Sequence, residues 1–286
     1  MNVWNCRSYR WSSSNGPLIM GIVNATPDSF SDKNPTLKKA LDHAYQLEKD
    51  GADILDIGGE STRPGSCSVP VEEECARVLP LIRILVKESS LPVSIDTQKE
   101  MVARAALDAG ASIVNHVSSS LDFANMLATV ASHNAGYVAM HMLARPKTMQ
   151  KKPEYKDAVE EVILALSKVA MAAEEAGLPS NNILYDPGIG FGKRLEHNLA
   201  LMKQISLISR RLNRPLLMGI SRKSWLSQLM EEPLERNEER DVLTAIASSL
   251  LQKNGGVFCH RVHNVKLVKQ ALKLSREIGE TETWVG

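Results

Sequence analysis

Short apolar segments alternate with longer amphipathic segments along most of the chain. A short apolar run bounded by glycine and polar residues is typical of a buried strand. The pattern therefore predicts eight strands, at residues 18–24, 53–58, 92–96, 112–117, 137–141, 182–186, 215–220 and 257–263.

The segments between these strands carry apolar residues at three- and four-residue spacing, which predicts helices with one buried face. Glycines such as Gly51 and Gly110 stand where a helix would end before the next strand. Thr97 and Glu100 match the spacing of a capping box at the start of a helix. Repeated alternation without a break in composition favours a single (β/α)8 TIM barrel over a doubly wound sheet. We expect residues 1–286 to form one domain, with 1–17 as an N-terminal extension leading into the first strand.

Composition and net charge limit the kinds of molecule that the protein is expected to bind. The chain has 286 residues, enough to bury a large core, and a net charge of +1 from 34 basic and 33 acidic residues. This balance predicts neither nucleic-acid binding nor recruitment to an anionic membrane. Its four cysteines include no C-x-x-C pair, which argues against a zinc site or a disulfide framework. With no long apolar run and no apolar leader, we expect a cytoplasmic protein.

In a (β/α)8 barrel the functional residues lie in the loops after the strands. Those loops are rich in charge and hydroxyl groups, whereas the opposite connections, such as 49–52 and 109–111, are bland turns. Arginine forks with hydroxyl groups suit phosphate or pyrophosphate. The basic residues of the predicted site are Arg63, Lys193, Arg222, Lys223 and Arg261.

The alternation of side chains along the last strand predicts which of its residues face this anion site. Arg261 and His263 fall on one face of the last strand, and His260 falls on the other, which argues against a metal held by the two histidines. The glycine-rich segment 188–193 fits neither a P-loop nor a Rossmann turn, because its spacing matches neither motif.

Three polar residues close three different strands: Asp96, Asn115 and Asp186. Buried carboxylates and carboxamides are costly unless they meet a polar ligand. A planar heterocycle with N–H and NH2 donors would satisfy them, with Lys223 meeting a ring nitrogen or carbonyl. Each aspartate taken alone also fits a helix cap, and Asp96 in particular does so.

Seven segments in order, 20–32, 58–65, 94–97, 146–150, 186–193, 221–224 and 261–263, resemble the dihydropteroate synthase family of folate biosynthesis. The resemblance extends from about Leu18 to the last helix. It implies a transferase that joins 6-hydroxymethyl-7,8-dihydropterin diphosphate to 4-aminobenzoate and releases pyrophosphate. It also implies a homodimer with small-molecule substrates.

Roles follow from the resemblance by matching motifs. The pterin would be held by Asp96, Asn115, Asp186 and Lys223, and the diphosphate by Arg63, Arg261, His263 and Asn24, with Asn24 also facing Mg2+. The aminobenzoate would be surrounded by Thr62, Pro64, Phe191, Lys223 and Ser224, and we expect Met140 among the substrate-binding residues. The catalytic residues would be Asp96, Lys223, Arg63, Arg261 and His263.

Three positions depart from the family pattern: His116 and Asn264, where aspartate is usual, and Lys33-Asn34, where a glycine pair is common. Strand alternation predicts that His116 points away from Asn115. Two rival functions stay open. One is a methyltransferase barrel for methyltetrahydrofolate, which has no need of the Arg261 and His263 pair. The other is a pterin-binding barrel without turnover.

Overall fold

The computed structural model describes residues 3–25, 35–62, 66–118, 122–143, 149 and 153–279. Within them, eight parallel strands form a closed barrel, in which each strand pairs with the next and the last pairs with the first. An antiparallel hairpin precedes the barrel. The hairpin strands are β1 (Val3–Cys6) and β2 (Tyr9–Ser12). The barrel strands are β3 (Leu18–Asn24), β4 (Ile54–Gly58), β5 (Val93–Asp96), β6 (Ile113–His116), β7 (Gly136–Met140), β8 (Ile183–Asp186), β9 (Leu216–Met218) and β10 (Val257–Val262).

Helices cover the outside of the barrel. They are α1 (Pro35–Lys49), α2 (Val71–Glu88), α3 (Glu100–Asp108), α4 (Ala124–Ser132), α5 (Ala158–Glu175), α6 (Leu195–Lys203), α7 (Ile205–Leu212), α8 (Trp225–Met230), α9 (Asn237–Asn254) and α10 (Val265–Gly279). The predicted (β/α)8 barrel and its eight strands are therefore confirmed. No helix in the described ranges has both the length and the apolar character needed to cross a membrane.

Side-chain alternation along the strands divides the barrel into an outer and an inner core. Leu55 and Ile57 of β4 pack outward against helical residues, whereas Ile54 packs inward with apolar residues of other strands. The same inward face of β4 continues to Asp56, which is fully buried. The barrel interior is thus apolar near the amino ends of the strands and polar near their carboxyl ends.

The N-terminal hairpin closes the apolar end of the barrel. Trp4 and Cys6 are fully buried in the inner core, and Trp4 Nε1 donates a hydrogen bond to the carbonyl oxygen of Asn182 at 2.9 Å. The segment is therefore more than an extension leading into the first strand. Its strands are short and contain several polar residues, so the apolar pattern alone does not reveal them.

The predicted capping box at Thr97 is wrong. Helix α3 begins after Lys99, which makes no side-chain cap. The Thr97 hydroxyl instead accepts a hydrogen bond from the Lys99 amide at 3.1 Å and donates one to buried Glu74 at 2.7 Å. This hydroxyl therefore connects the end of β5 to helix α2.

Candidate active site

A cleft of about 710 Å³ opens at the carboxyl ends of the barrel strands. It brings together most of the residues that the sequence placed in a site, although they are spread over more than two hundred positions. The predicted site residues that line it are Asn24, Thr62, Asp96, Phe191, Arg222, Lys223, Ser224, Arg261 and His263. The convergence of these side chains on one cavity is what a common site requires.

Some predicted site residues lie outside the described residues. These are Arg63, Pro64, the first loop with Lys33-Asn34, and all of segment 146–150 except Met149. Thr62, which directly precedes Arg63, lines the cleft, as does Met149.

Arg261 forms the main electrostatic contacts inside the cleft. Its Nε atom donates to Asp56 Oδ2 at 2.6 Å, and its Nη2 atom donates to Asp96 Oδ2 at 2.5 Å. Burial alone would lower the pKa of Arg261, but the two carboxylates raise it above its ordinary value. The guanidinium therefore stays charged while it lines the cavity, as an anion-binding group must.

Asp56 is a residue that the sequence analysis missed. It is fully buried on β4, and its Oδ2 atom accepts hydrogen bonds from both Arg261 Nε and Asn115 Nδ2, the latter at 3.1 Å. Through these bonds it fixes the orientation of two predicted substrate-binding side chains. A signal was available, because an aspartate in the middle of an otherwise apolar strand needs a buried partner.

The carboxyl group of Asp96 is buried beside Arg261 and Asp56. Burial, with a smaller contribution from the nearby Asp56, raises the pKa of Asp96 to about 7 in spite of the opposing effect of Arg261. Its Oδ1 atom is buried without a hydrogen-bond partner among the described residues. A ligand donor such as a ring N–H would satisfy this oxygen.

Three further predicted residues are buried at the base of the site. Asp186 Oδ1 accepts a hydrogen bond from the Gly188 amide at 2.7 Å, and burial raises the pKa of Asp186 while Lys223 opposes that shift. Asn115 and Met140 are only 2% exposed. None of the three lies at the rim of the cleft, so each would contact only a ligand that reaches deep into the barrel.

Lys223 lies between the base and the rim of the cleft. Its Nζ atom donates to the carbonyl oxygen of Ile189 at 2.5 Å and lies 4.4 Å from the centroid of the Phe191 ring. Burial lowers the pKa of Lys223 to about 8, while Asp186 opposes that shift. At neutral pH this side chain therefore places a cation beside an aromatic surface.

The two histidines of β10 and its following loop divide as alternation predicted. His263 lines the cleft, where its Nδ1 atom lies 3.0 Å from the hydroxyl of Ser221. His260 faces the helices and its Nε2 atom lies 3.0 Å from Gln252 Oε1. A metal held by His260 and His263 together is therefore excluded by their opposite directions.

Two basic residues are engaged by protein groups. Arg222 forms two hydrogen bonds of 2.7 Å to the carboxylate of Asp241, and Asn264 Nδ2 donates to the same carboxylate at 3.2 Å. An aspartate at position 264 would face Asp241 without a donor, which gives a physical reason for asparagine here. Lys193 is 3% exposed and is surrounded by protein acceptors, so its prediction as an anion-binding group is wrong.

His116 points away from the site, as predicted. Its Nδ1 atom lies 2.7 Å from the Tyr137 hydroxyl, and its Nε2 atom lies 3.2 Å from the Ser118 hydroxyl. Burial lowers the pKa of His116 to about 3, so the imidazole is neutral at physiological pH. The side chain supports the outer face of β6, whereas its neighbour Asn115 faces the interior.

This geometry makes a specific prediction for His116→Asp. Turnover should change by less than about tenfold, while the free energy of unfolding should fall by about 1–3 kcal/mol, since a buried carboxylate replaces a neutral ring. Steady-state kinetics and urea unfolding measure the two effects. His116→Gln, which stays neutral, serves as the control and should lose less stability. A gain of several orders of magnitude in turnover would contradict the assignment.

Comparison with known proteins shows which family the chain resembles over most of its length. A family model described as pterin binding enzyme matches residues 20–263. The dihydropteroate synthase of Bacillus subtilis is 40% identical over 261 residues, which cover 90% of this chain and 87% of that protein. The structure of Xanthomonas albilineans dihydropteroate synthase with 4-aminobenzoic acid matches with a TM-score of 0.88 and 39% identity, covering 98% of both chains. The same enzyme in complex with 7,8-dihydropteroate matches with a TM-score of 0.84 and 35% identity, covering 98% of this chain and 100% of that chain.

Proposed function

Because this chain belongs to the pterin-binding enzyme family, we infer that it is a transferase with dihydropteroate synthase activity. It condenses 6-hydroxymethyl-7,8-dihydropterin diphosphate with 4-aminobenzoate in folate biosynthesis and releases pyrophosphate. The observation that carries this function is the single cleft in which Asp96, Lys223, Arg261 and His263 meet. A methyltransferase barrel would have no use for an anion-binding pair formed by Arg261 and His263.

The reaction requires stabilisation of the positive and negative charges that separate when pyrophosphate leaves. Loss of pyrophosphate leaves a carbocation next to the electron-rich pterin, so no protein nucleophile is needed. Arg261 and His263 lie where they would hold the departing diphosphate. Asp96 and Asp186 lie at the base, where ionised carboxylates would favour a cationic pterin ring.

The aromatic amine would bind nearer the rim. Thr62, Phe191 and Ser224 line that part of the cleft, and Lys223 lies between them and the base. An amine held beside the pterin reacts as if it were intramolecular, which contributes up to about 7–11 kcal/mol in favourable cases. Arg63 and Pro64 are proposed to complete the diphosphate and amine subsites from their place directly after Thr62 in the chain.

We propose Mg2+ as the cofactor. Among the described residues, no cluster of three or more histidine, cysteine, aspartate or glutamate side chains could hold a metal by itself. Mg2+ usually keeps several waters and binds through a few protein oxygens and substrate phosphates. The amide oxygen of Asn24, which lines the cleft, fits that pattern. When bound there, the ion would neutralise charge on the diphosphate.

The decisive experiment mixes the purified protein with both substrates and Mg2+ and measures pyrophosphate and dihydropteroate. Equal amounts of the two products are expected, and omission of 4-aminobenzoate should abolish dihydropteroate formation. Binding of the pterin diphosphate without product would favour a barrel that has lost turnover. Methyl transfer from methyltetrahydrofolate would favour the methyltransferase alternative.

We also propose that the protein forms a homodimer through helices α9 and α10. Val242, Ile246 and Leu250 form an exposed apolar stripe along α9, and Leu274 and Ile278 are exposed on the adjacent α10. Val265, Val268 and Leu272 of α10 are buried within the chain and are not available for a dimer contact.

The dimer proposal predicts that Ile246→Lys shifts the protein to a monomer at micromolar concentration, because a charge would be buried at the interface. Light scattering after size-exclusion chromatography measures the mass. Leu164→Lys, on the exposed face of α5, provides a matched control that should leave the mass unchanged. A parent protein that is monomeric under the same conditions would refute the proposal.

A cytoplasmic location is proposed on the state of the cysteines. Cys6, Cys67, Cys75 and Cys259 are all free thiols, and two of them are fully buried. Free thiols are typical of a reducing compartment. Labelling of thiols in intact cells before lysis, followed by mass spectrometry, would test whether all four remain reduced.

A further inference from the structure

The glycine-rich loop at residues 188–193 is built around the buried amino group of Lys193, whose pKa burial lowers to about 7. Lys193 Nζ donates to the carbonyl oxygen of Gly188 at 2.9 Å, to that of Phe191 at 3.1 Å, and to His141 Nδ1 at 2.9 Å. In its protonated form a lysine has three N–H donors and no acceptor, so these three contacts satisfy that form completely. His141 therefore accepts through Nδ1, which requires the neutral ring, and burial lowers the pKa of His141 well below its ordinary value.

This loop has the opposite polarity to a phosphate-binding loop. In a phosphate-binding loop the backbone N–H groups converge on an anion. Here the carbonyl oxygens of Gly188, Ile189, Phe191 and Gly192 accept hydrogen bonds from two lysines and from the Tyr155 hydroxyl. The segment is therefore a carbonyl-lined turn that holds the amino group of Lys193.

The backbone conformation depends on alternating glycines. Gly188, Gly190 and Gly192 have φ angles of +70°, +84° and +64°, which side-chain-bearing residues rarely adopt. A Cβ atom on Gly188 would lie 1.9 Å from the His141 carbonyl oxygen, and one on Gly192 would lie 2.7 Å from Leu143 Cβ. These glycines therefore restrict the turn to its present backbone conformation around Lys193 Nζ.

The same turn presents two groups to the cleft. The carbonyl oxygen of Ile189 accepts the hydrogen bond from Lys223, and the Phe191 ring lies 4.4 Å from the Lys223 ammonium. Phe191 lines the cleft, whereas Lys193 is buried behind the turn. Lys193 would therefore affect a bound substrate only indirectly, through the turn residues that it hydrogen-bonds.

We propose that Lys193, held by His141, is a positioning residue that fixes Phe191 and the Ile189 carbonyl for binding of the aromatic amine. The inference rests on the proposed function, because it assigns the rim of the same cleft to 4-aminobenzoate. Without the Lys193 amino group, the Gly188 and Phe191 carbonyls lose a buried donor and turn toward solvent. The Phe191 ring then moves away from Lys223, and the amine loses one wall of its subsite.

The first test compares Lys193→Met with the parent in a steady-state assay of dihydropteroate formation. The KM for 4-aminobenzoate is expected to rise at least about tenfold, with a change of less than about threefold in the KM for the pterin diphosphate. Lys203→Met, the same change at an exposed lysine of α6, is the matched control and should resemble the parent. Equal losses for both substrates, or a lowered melting temperature with both KM values unchanged, would overturn the proposal.

A second pair of variants keeps the test decisive if Lys193→Met does not fold. His141→Asn retains an acceptor near the position of Nδ1, whereas His141→Leu removes it. The KM for 4-aminobenzoate should be closer to the parent value in His141→Asn than in His141→Leu. Identical KM values in these two variants would count against a positioning role. A parent protein that forms no dihydropteroate would instead refute the proposed function.

Discussion

Replacement of Arg261 by methionine is expected to produce the largest combined loss of activity and stability. The variant removes the cation that faces the diphosphate, and loss of one such group costs about two to three orders of magnitude in rate. It also leaves Asp56 and Asp96 buried without their shared partner. Breaking a buried ion pair from one side destabilises a protein by about 3–5 kcal/mol.

The stability loss should depend on pH. Without Arg261, the pKa of Asp96, which burial already raises to about 7, rises further. A carboxyl whose pKa is raised in the folded state stabilises the fold below its ordinary pKa, and that contribution is lost as the pH rises through the folded value. Urea unfolding should therefore show that Arg261→Met loses more unfolding free energy, relative to the parent, at about pH 8.5 than at about pH 5.5.

A double variant separates the two effects. In Arg261→Met combined with Asp56→Asn, one of the two stranded carboxylates becomes a neutral amide. Stability should recover in part, while turnover should stay low because the cation is still missing. A single Arg261→Met variant with parental stability at both pH values would show that the Asp56 and Asp96 pairs contribute nothing to the fold.

Replacement of Lys223 by methionine is expected to lower kcat/KM by about two orders of magnitude or more. The variant removes the cation that lies between the carboxylates at the base and the Phe191 ring. The free energy of unfolding should change much less than in Arg261→Met, because methionine keeps the length of the side chain and burial of the ammonium is itself costly.

The parent enzyme should also lose activity at alkaline pH. Burial lowers the pKa of Lys223 to about 8, so its ammonium is neutralised as the pH rises through that value. The kcat/KM profile of the parent should therefore fall with an apparent pKa near 8, and Lys223→Met should lack this limb. An unchanged alkaline limb in Lys223→Met would assign it to another group.

Much of the fold follows from local pattern. The strand predicted at 18–24 coincides with β3, and the other seven barrel strands agree with their predictions to within a few residues at each end. Strand period and glycine position are properties of neighbouring residues, so one sequence reveals them. The rule that strand carboxyl ends carry function then placed Asp96, Lys223 and Arg261 in one site before any distance was known.

Contacts across the barrel could not be predicted in this way. Asp56 and Arg261 are 205 positions apart, and nothing in either segment indicates that they form an ion pair. The same holds for Lys193, which looks like an anion ligand beside glycines and is in fact enclosed by carbonyl oxygens and His141.

The sequence by itself therefore determined the barrel, the functional end of the barrel and the chemical types gathered there. Only the tertiary structure decided which charges neutralise one another and which face the cavity. It also showed that the hairpin bearing Trp4 closes the opposite end. The physical reason is that periodicity fixes the face on which a side chain lies, whereas its partner and its burial depend on where strands distant in sequence bring their own side chains.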